Sequence, residues 1–375
     1  MAGTEQLVNN VARRRLEALI AAYQTKRCFG GDESVSEQRI EQPDASSAPR
    51  SDDQPREAFT IVYGEPIPDD LRAIAAELAP AGFRLLLVAS REREELLRLM
   101  PEADFLLVAT TRVDEELLRA APRLRLVQHQ GVGYDNIDVA ACRRAAIPVA
   151  LTPEGTTIGV AEHTLLLILA LFRQLLALDA AVRRGEWPVW SMRSRSVELA
   201  GKTVGLIGFG RIGREVARRV RAFDATIIYH DAVRVPAAVE AELGATYLSQ
   251  DDLLRQADIV SLHAPLTAET RGFIGERELR LMRPHAVLIN TARGALLDEP
   301  ALVRALDEEW IAGAGLDVLA QEPPDADNPL LTFPNVILTP HVAAGTRDAY
   351  RTKMDAVFAN MQRVARGEAP LNQVP

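Results

Sequence analysis

From Phe59 onward the chain alternates short apolar runs with Leu/Ala/Glu-rich stretches of helical periodicity, and it does so in two successive series. The first contains "TIVYG", "RLLLVA", "DFLLVAT" and "LRLVQHQ". The second opens at residue 203 with "TVGLIG" and continues through "TIIYHD", "DIVSLHA", "AVLINTA", "AGAGLDV" and "NVILTPH". Runs that are apolar throughout, rather than at every other position, belong to strands buried on both faces, and a parallel neighbour requires a crossover between strands. The pattern predicts an α/β chain built of two doubly wound parallel-sheet units.

Between the two series lies "HTLLLILALFRQLLALDAAV", predicted as one long helix near 160–183 that joins the units or packs against a partner subunit. Arg173, Gln174 and Asp179 interrupt it too early for an unbroken bilayer span. Before Phe59, Thr4 as N-cap with Val8, Val11, Leu16, Leu19, Ile20 and Tyr23 at helical spacing predicts an amphipathic helix. Residues 30–57 turn to Ser, Asp, Gln, Pro and Glu and read as a flexible linker, whose burial could not offset its ordering entropy. The net charge of −9 lacks the basic excess that a nucleic acid or an anionic membrane surface attracts, so neither is expected as a partner. Cys28 and Cys142, far apart and in no metal-ligand spacing, fit a reducing cytoplasm, and the N-terminus carries no signal-peptide core.

Within the second series, "TVGLIGFGRIGREVARRV" sets Gly208, Gly210 and Gly213 in a G-x-G-x-x-G pattern directly after a strand and at the opening of a helix. Gly208 permits the tight turn, Gly210 the approach of backbone to a pyrophosphate, and Gly213 close helix packing. The helix N-terminal N–H groups of Arg211 and Ile212 face the phosphates. Asp231 ends the next strand, where a carboxylate accepts both ribose hydroxyls and repels a 2′-phosphate. NAD is therefore the expected cofactor, favoured over NADP, although Arg234 stands close by.

Ligands of open α/β sheets bind beyond the carboxyl ends of the strands. Arg293 follows "VLIN", Asp317 and Glu322 follow "AGAGL", and His341 follows "NVILT". Taken singly, Arg293 reads equally as a solvated loop charge, Glu322 as a surface residue and His341 as a satisfied interdomain histidine. Together they suit hydride transfer at a carbon bearing oxygen, which also needs a proton moved near neutral pH. Histidine is the group for that, a carboxylate on its far nitrogen would orient it, and an arginine fork would hold a substrate carboxylate and polarise the adjacent carbonyl. The remaining histidines form no metal-ligand set, and no metal site is expected.

These residues, with "GVGYDNID", "TTIGVAEHT", "HAPLTAET", "INTARGALLDE", "AGAGLDVLAQEPP" and "LTPHVAAGT", resemble the NAD-dependent D-isomer-specific 2-hydroxyacid dehydrogenases from about residue 60 to the C-terminus. The resemblance implies a Rossmann NAD-binding domain, residues 158–341, inserted into a flavodoxin-like substrate domain made of residues 58–157 and completed by 342–375, after the N-terminal helix and linker of 1–57. It implies Arg293, Glu322 and His341 as catalytic residues, and the backbone N–H groups of Val132 and Gly133 as receivers of the substrate carboxylate. Thr157, Ala264, Pro265, Thr291, Ala292 and Asp317 match positions lining the cofactor, Asp317 near its carboxamide. It further implies a homodimer built around the long helix.

Thr156 stands where the family often has asparagine. Ala109 and Thr110 stand where phosphoglycerate dehydrogenases typically carry an Arg-Ser pair, which disfavours a phosphorylated substrate; Glu322, where formate dehydrogenases use glutamine, disfavours formate. The expected activity is reversible oxidation of a small D-2-hydroxy acid to its 2-keto acid. Phosphite oxidation by the same trio and an NAD-sensing, corepressor-like binding protein stand as alternatives.

Overall fold

The computed structural model describes residues 59–375, so the expected N-terminal helix, the linker and Cys28 lie outside the described residues. The first sheet contains β1 (Phe59–Tyr63), β2 (Phe83–Leu87), β3 (Phe105–Val108), β4 (Leu126–His129) and β5 (Val149–Ala150). Its order is β2-β1-β3-β4-β5, all parallel, which is the flavodoxin-like arrangement. The second sheet contains β6 (Thr203–Ile207), β7 (Thr226–His230), β8 (Ala245–Tyr247), β9 (Ile259–Leu262), β10 (Val287–Asn290), β11 (Gly313–Leu316) and β12 (Val336–Leu338). Its order is β12-β11-β10-β9-β6-β7-β8, again parallel, which is the Rossmann order with one strand added.

Strands β3, β4, β9, β10 and β11 are buried at every position, as strands covered on both faces are, and they bury the polar Gln128, His129, Ser261 and Asn290 along with their apolar residues. Two hydrophobic clusters flank each sheet. On the second sheet, one holds Leu253, Leu279, Leu302 and Leu306 from helices on one face, and the other holds Leu167, Ile168, Val216 and Val220 from the opposite face. Gly315 lets the Thr156–Phe172 helix pack close to β11, since a Cβ there would lie 3.1 Å from Leu167 Cβ. The Arg347–Ala365 helix places Tyr350, Met354, Val357, Phe358 and Met361 against the first sheet. Beyond it Val374 N donates to Val149 O, so the C-terminal segment returns to the strands formed at the start of the described chain.

The single helix expected near 160–183 is two. Thr156–Phe172 and Leu175–Arg183 meet at a 60° bend. Gln174 takes a left-handed φ of 53°, and Arg173 N and Gln174 N close the first helix on Leu169 O and Leu171 O. Arg173 and Gln174 interrupt the apolar run at the break, but apolar residues resume on both sides at helical spacing, so the interruption alone does not distinguish a bend from one continuous helix. Among the described residues no single helix is long and apolar enough to cross a membrane; only this bent pair passes such a test jointly.

Candidate active site

The carboxyl ends of β6, β7, β9, β10, β11 and β12 share one edge, and every sequence-predicted residue of the second series lies on it. After β6, Gly208 adopts φ 95°, and a Cβ there would lie 2.5 Å from the His263 carbonyl carbon, so only glycine brings the β6 and β9 ends together. A Cβ on Gly213 would meet Gly208 O at 2.3 Å, whereas one on Gly210 would meet nothing within 4 Å. The loop is thus tight behind and open in front, and the Arg211–Arg221 helix begins there with its first N–H groups unpaired in the helix. This geometry fits a dinucleotide pyrophosphate. Asp231 comes after β7, and its Oδ2 accepts from Phe209 N at 2.6 Å, fixing the carboxylate to the same loop. Arg234 forms a two-pronged pair with Glu240 at 2.8 and 2.9 Å, so its guanidinium is committed away from Asp231.

Ala264 and Pro265 come after β9, Thr291 and Ala292 after β10, and Thr157 lies in the first turn of its helix. Thr291 Oγ1 shares a 2.9 Å hydrogen bond with Thr164 Oγ1. Neighbouring Thr156 Oγ1 is buried without a hydrogen-bond partner among the described residues. Asp317, only 1% exposed, is turned inward: Oδ1 accepts from Thr339 Oγ1 (2.6 Å) and Val342 N (2.9 Å), and Oδ2 accepts from Ala343 N (2.8 Å). His341 N also donates to Asp317 O at 2.7 Å. The carboxylate therefore braces the turn that presents His341, which is itself held at φ 53°, an uncommon setting for a non-glycine residue.

Arg293, Glu322 and His341 come after β10, β11 and β12, three adjacent strands. His341 Nδ1 donates to Glu322 Oε2 at 2.8 Å, and among the described residues Nε2 has no partner. Burial pushes the Glu322 carboxyl up, but the hydrogen bond and charge of His341, Leu319 N and the charge of Arg293 outweigh it and hold the group below its ordinary value. The Arg293 and Glu322 loops nearly touch: a Cβ on Gly294 would lie 1.9 Å from the Leu319 carbonyl carbon. Asn290 shapes the Arg293 turn, donating to Arg293 O (2.8 Å) and accepting from Ala292 N (3.0 Å).

Arg293 reaches across to the first sheet. Its Nε donates to Asp135 Oδ1 at 2.7 Å, and a Cβ on Gly133 would lie 1.3 Å from Nη2. The guanidinium therefore fills the space that glycine leaves, beside the Val132 and Gly133 N–H groups, neither of which has an acceptor among the described residues. Buried His129 shapes this loop: its Nδ1 accepts from Gly131 N (2.9 Å), so Nε2 donates to Ala109 O (2.8 Å). Burial pushes its imidazole down, favouring the neutral ring that this pairing needs.

Two participants were missed in the sequence. Asp135 lies in "GVGYDNID", close to the glycines, but its partner is 158 positions away. Glu65, after β1, is 7% exposed, and its carboxylate accepts from Ala109 N (3.0 Å), Thr110 N (2.6 Å), Thr111 N (2.7 Å) and Thr110 Oγ1 (3.0 Å). No local pattern around it marks that role.

Residues 165–343 match the family model described as D-isomer specific 2-hydroxyacid dehydrogenase, NAD binding domain. A glyoxylate reductase of Aeropyrum pernix is 46% identical over 303 residues, covering 79% of this chain and 87% of the relative. A glyoxylate reductase structure from Paecilomyes thermophila is similar at TM-score 0.73 and 35% identity, over 85% of this chain and 99% of that one. A D-lactate dehydrogenase from Aquifex aeolicus, complexed with NAD and lactic acid, is similar at TM-score 0.73 and 30% identity, over 82% and 96%. The chain thus belongs to the D-isomer-specific 2-hydroxyacid dehydrogenases, as an NAD-dependent enzyme that moves a hydride between a 2-hydroxy acid and a 2-keto acid.

Proposed function

We propose that this enzyme reduces a small 2-keto acid of the glyoxylate class, and oxidises the D-2-hydroxy acid in the reverse direction, with His341 as proton carrier, Glu322 as its orienter and Arg293 as the substrate clamp. The observation that carries this reading is the His341 Nδ1 to Glu322 pair at 2.8 Å, one strand from a guanidinium packed on Gly133. The glyoxylate reductase relatives, such as that of Aeropyrum pernix, support the size of the substrate.

When bound, NADH supplies the hydride for the keto carbon. The Gly208–Gly213 loop with the Arg211 and Ile212 N–H groups would hold the pyrophosphate, and Asp231 the ribose hydroxyls. Thr157, Ala264, Pro265, Thr291, Ala292 and Asp317 would line the remainder. Val132 and Gly133 N–H groups receive the substrate carboxylate, and the Arg293 fork holds both that carboxylate and the carbonyl oxygen. His341 Nε2 delivers a proton to that oxygen, and the Glu322 carboxylate, accepting from Nδ1, holds the ring in place for the transfer. In oxidation the same nitrogen takes the proton back.

The domain division of 58–157 with 342–375, and 158–341, belongs to this reading, as does a cytoplasmic homodimer. Ile158, Leu166, Leu175, Leu176, Trp187 and Trp190 are 48–78% exposed along and just after the bent helix pair, an apolar face that a second copy would cover. Light scattering on the purified chain tests the dimer.

The deciding experiment monitors NADH consumption with glyoxylate, hydroxypyruvate and pyruvate, for the wild type and His341→Ala. Turnover that falls about 10²- to 10⁴-fold in the variant, with NAD binding retained, supports the assignment. Turnover of phosphite and of no keto acid would replace it, and NAD binding with negligible catalysis in both proteins would favour a sensor.

A further inference from the structure

We propose that Glu65 sets the substrate range by occupying, with its own carboxylate, an anion-binding nest beside the substrate site, so that 2-keto acids with a second anionic group at the far end are rejected. This rests on the function proposed above and names the substrate class.

Three successive backbone N–H groups, Ala109, Thr110 and Thr111, converge with Thr110 Oγ1 on one carboxylate at 2.6–3.0 Å. Consecutive N–H groups turned to one point form a concavity suited to carboxylate or phosphate oxygens. Here the anion comes from the chain itself, across 44–46 residues of sequence, and it is buried.

The nest adjoins the proposed carboxylate cradle. Strands β1, β3 and β4 are neighbours, and their ends carry Glu65, the nest and the Gly131–Gly133 loop respectively. His129 bridges nest and loop, donating to Ala109 O and accepting from Gly131 N, and Asn136 Nδ2 donates to Thr111 O at 2.7 Å. A keto acid whose carboxylate sits on Val132, Gly133 and Arg293 therefore has these loop ends next to it. A distal hydrogen, methyl or hydroxymethyl group meets closed polar backbone there. A distal carboxylate or phosphate meets a carboxylate already holding the donors it would need, and like charges at short range repel.

The test compares matched pairs in the full chain with NADH: oxaloacetate against pyruvate, and phosphohydroxypyruvate against hydroxypyruvate, for the wild type, Glu65→Gln and Glu65→Ala. The wild type favours the member of each pair that lacks a distal charge. Glu65→Ala empties the nest, and the ratio of kcat/KM for the substrate with a distal anionic group over the one without rises about 10- to 100-fold, the value of hydrogen bonds to a charged group. Glu65→Gln keeps an oxygen on the N–H groups and removes the charge, giving a smaller rise. Inorganic phosphate raises the melting temperature of Glu65→Ala and leaves that of the wild type unmoved.

A Glu65→Ala protein that unfolds cooperatively with unchanged ratios and no phosphate response overturns the proposal and leaves Glu65 as a tie between strand ends. If Glu65→Ala does not fold, an unchanged ratio in Glu65→Gln overturns it equally. A wild type inactive on every keto acid, beside a Glu65→Ala that binds phosphate, would remove the proposed function and keep the nest.

Discussion

Replacing Gly133 with alanine separates folding from chemistry in this site. The added methyl carbon would stand 1.3 Å from Arg293 Nη2, 2.2 Å from Cζ and 2.9 Å from Nε. Carbon and nitrogen in contact need roughly 3.5 Å, so the guanidinium must retreat by about 2 Å. Gly133 has no left-handed φ, so the backbone accepts alanine, and the obstacle is the far end of a flexible side chain. The fold therefore loses little beyond the Arg293–Asp135 pair, whose side chains are 24% and 47% exposed, a class worth about 0–1 kcal/mol. Catalysis loses more: a 1 Å misplacement of a positioning group already costs about 100-fold, and this one is larger. The expected result is a melting temperature within a few degrees of wild type, NADH binding retained by fluorescence, and kcat/KM for glyoxylate reduced by at least about 100-fold. A correctly folded variant with kcat/KM within about threefold of wild type would refute the reasoning, because Arg293 would then not need the place it occupies.

In Glu322→Gln the His341 ring keeps an acceptor but loses the carboxylate. Because Glu322 is held below its ordinary value, its carboxylate stays charged through the usual carboxylate range and is lost only as pH falls through the depressed value. The wild-type rate of keto-acid reduction should show an acid limb below that range and the variant should lose it along with most turnover; an unchanged profile counts against the pair. Asp231→Ala removes the acceptor of Phe209 N and the expected ribose ligand, and KM for NADH should rise by about tenfold. NADPH should not substitute, because Arg234 is held by Glu240; efficient use of NADPH by the variant would contradict that. Lys353 is 8% exposed, and its ammonium, bonded to Ala344 O at 3.2 Å, is pushed by burial down to about 8. Between about pH 8 and the ordinary lysine range the unfolded chain holds the proton that the folded chain has lost, so stability rises with pH, by about 3 kcal/mol in all. Urea unfolding of Lys353→Met should lack this rise and start from a more stable protein at pH 7; equal pH slopes in the two proteins would sink the idea.

The alternation of strands and helices, the glycine loop with Asp231, and the placing of Arg293, Glu322 and His341 at strand ends were all readable in the chain, because each depends on neighbours within a few residues. Apolar runs fix where strands lie, and the residue just past a strand in a parallel sheet arrives at one edge whatever its distant partners are. The long apolar segment at 160–183 marks the limit of such reading: Arg173 and Gln174 interrupt it, but two polar residues fit the exposed side of one helix as well as a bend, and the left-handed φ of Gln174 decides between them. Sequence by itself thus determined the class of fold, the cofactor and which residue types reach the crevice. Only the tertiary structure decided who meets whom: Arg293 with Gly133 and Asp135, His341 with Glu322, Asp317 with its own turn, and Glu65 with the loop after β3. Those meetings join loops far apart in the chain, and sheet order and loop packing, which no local periodicity encodes, bring them to hydrogen-bonding distance.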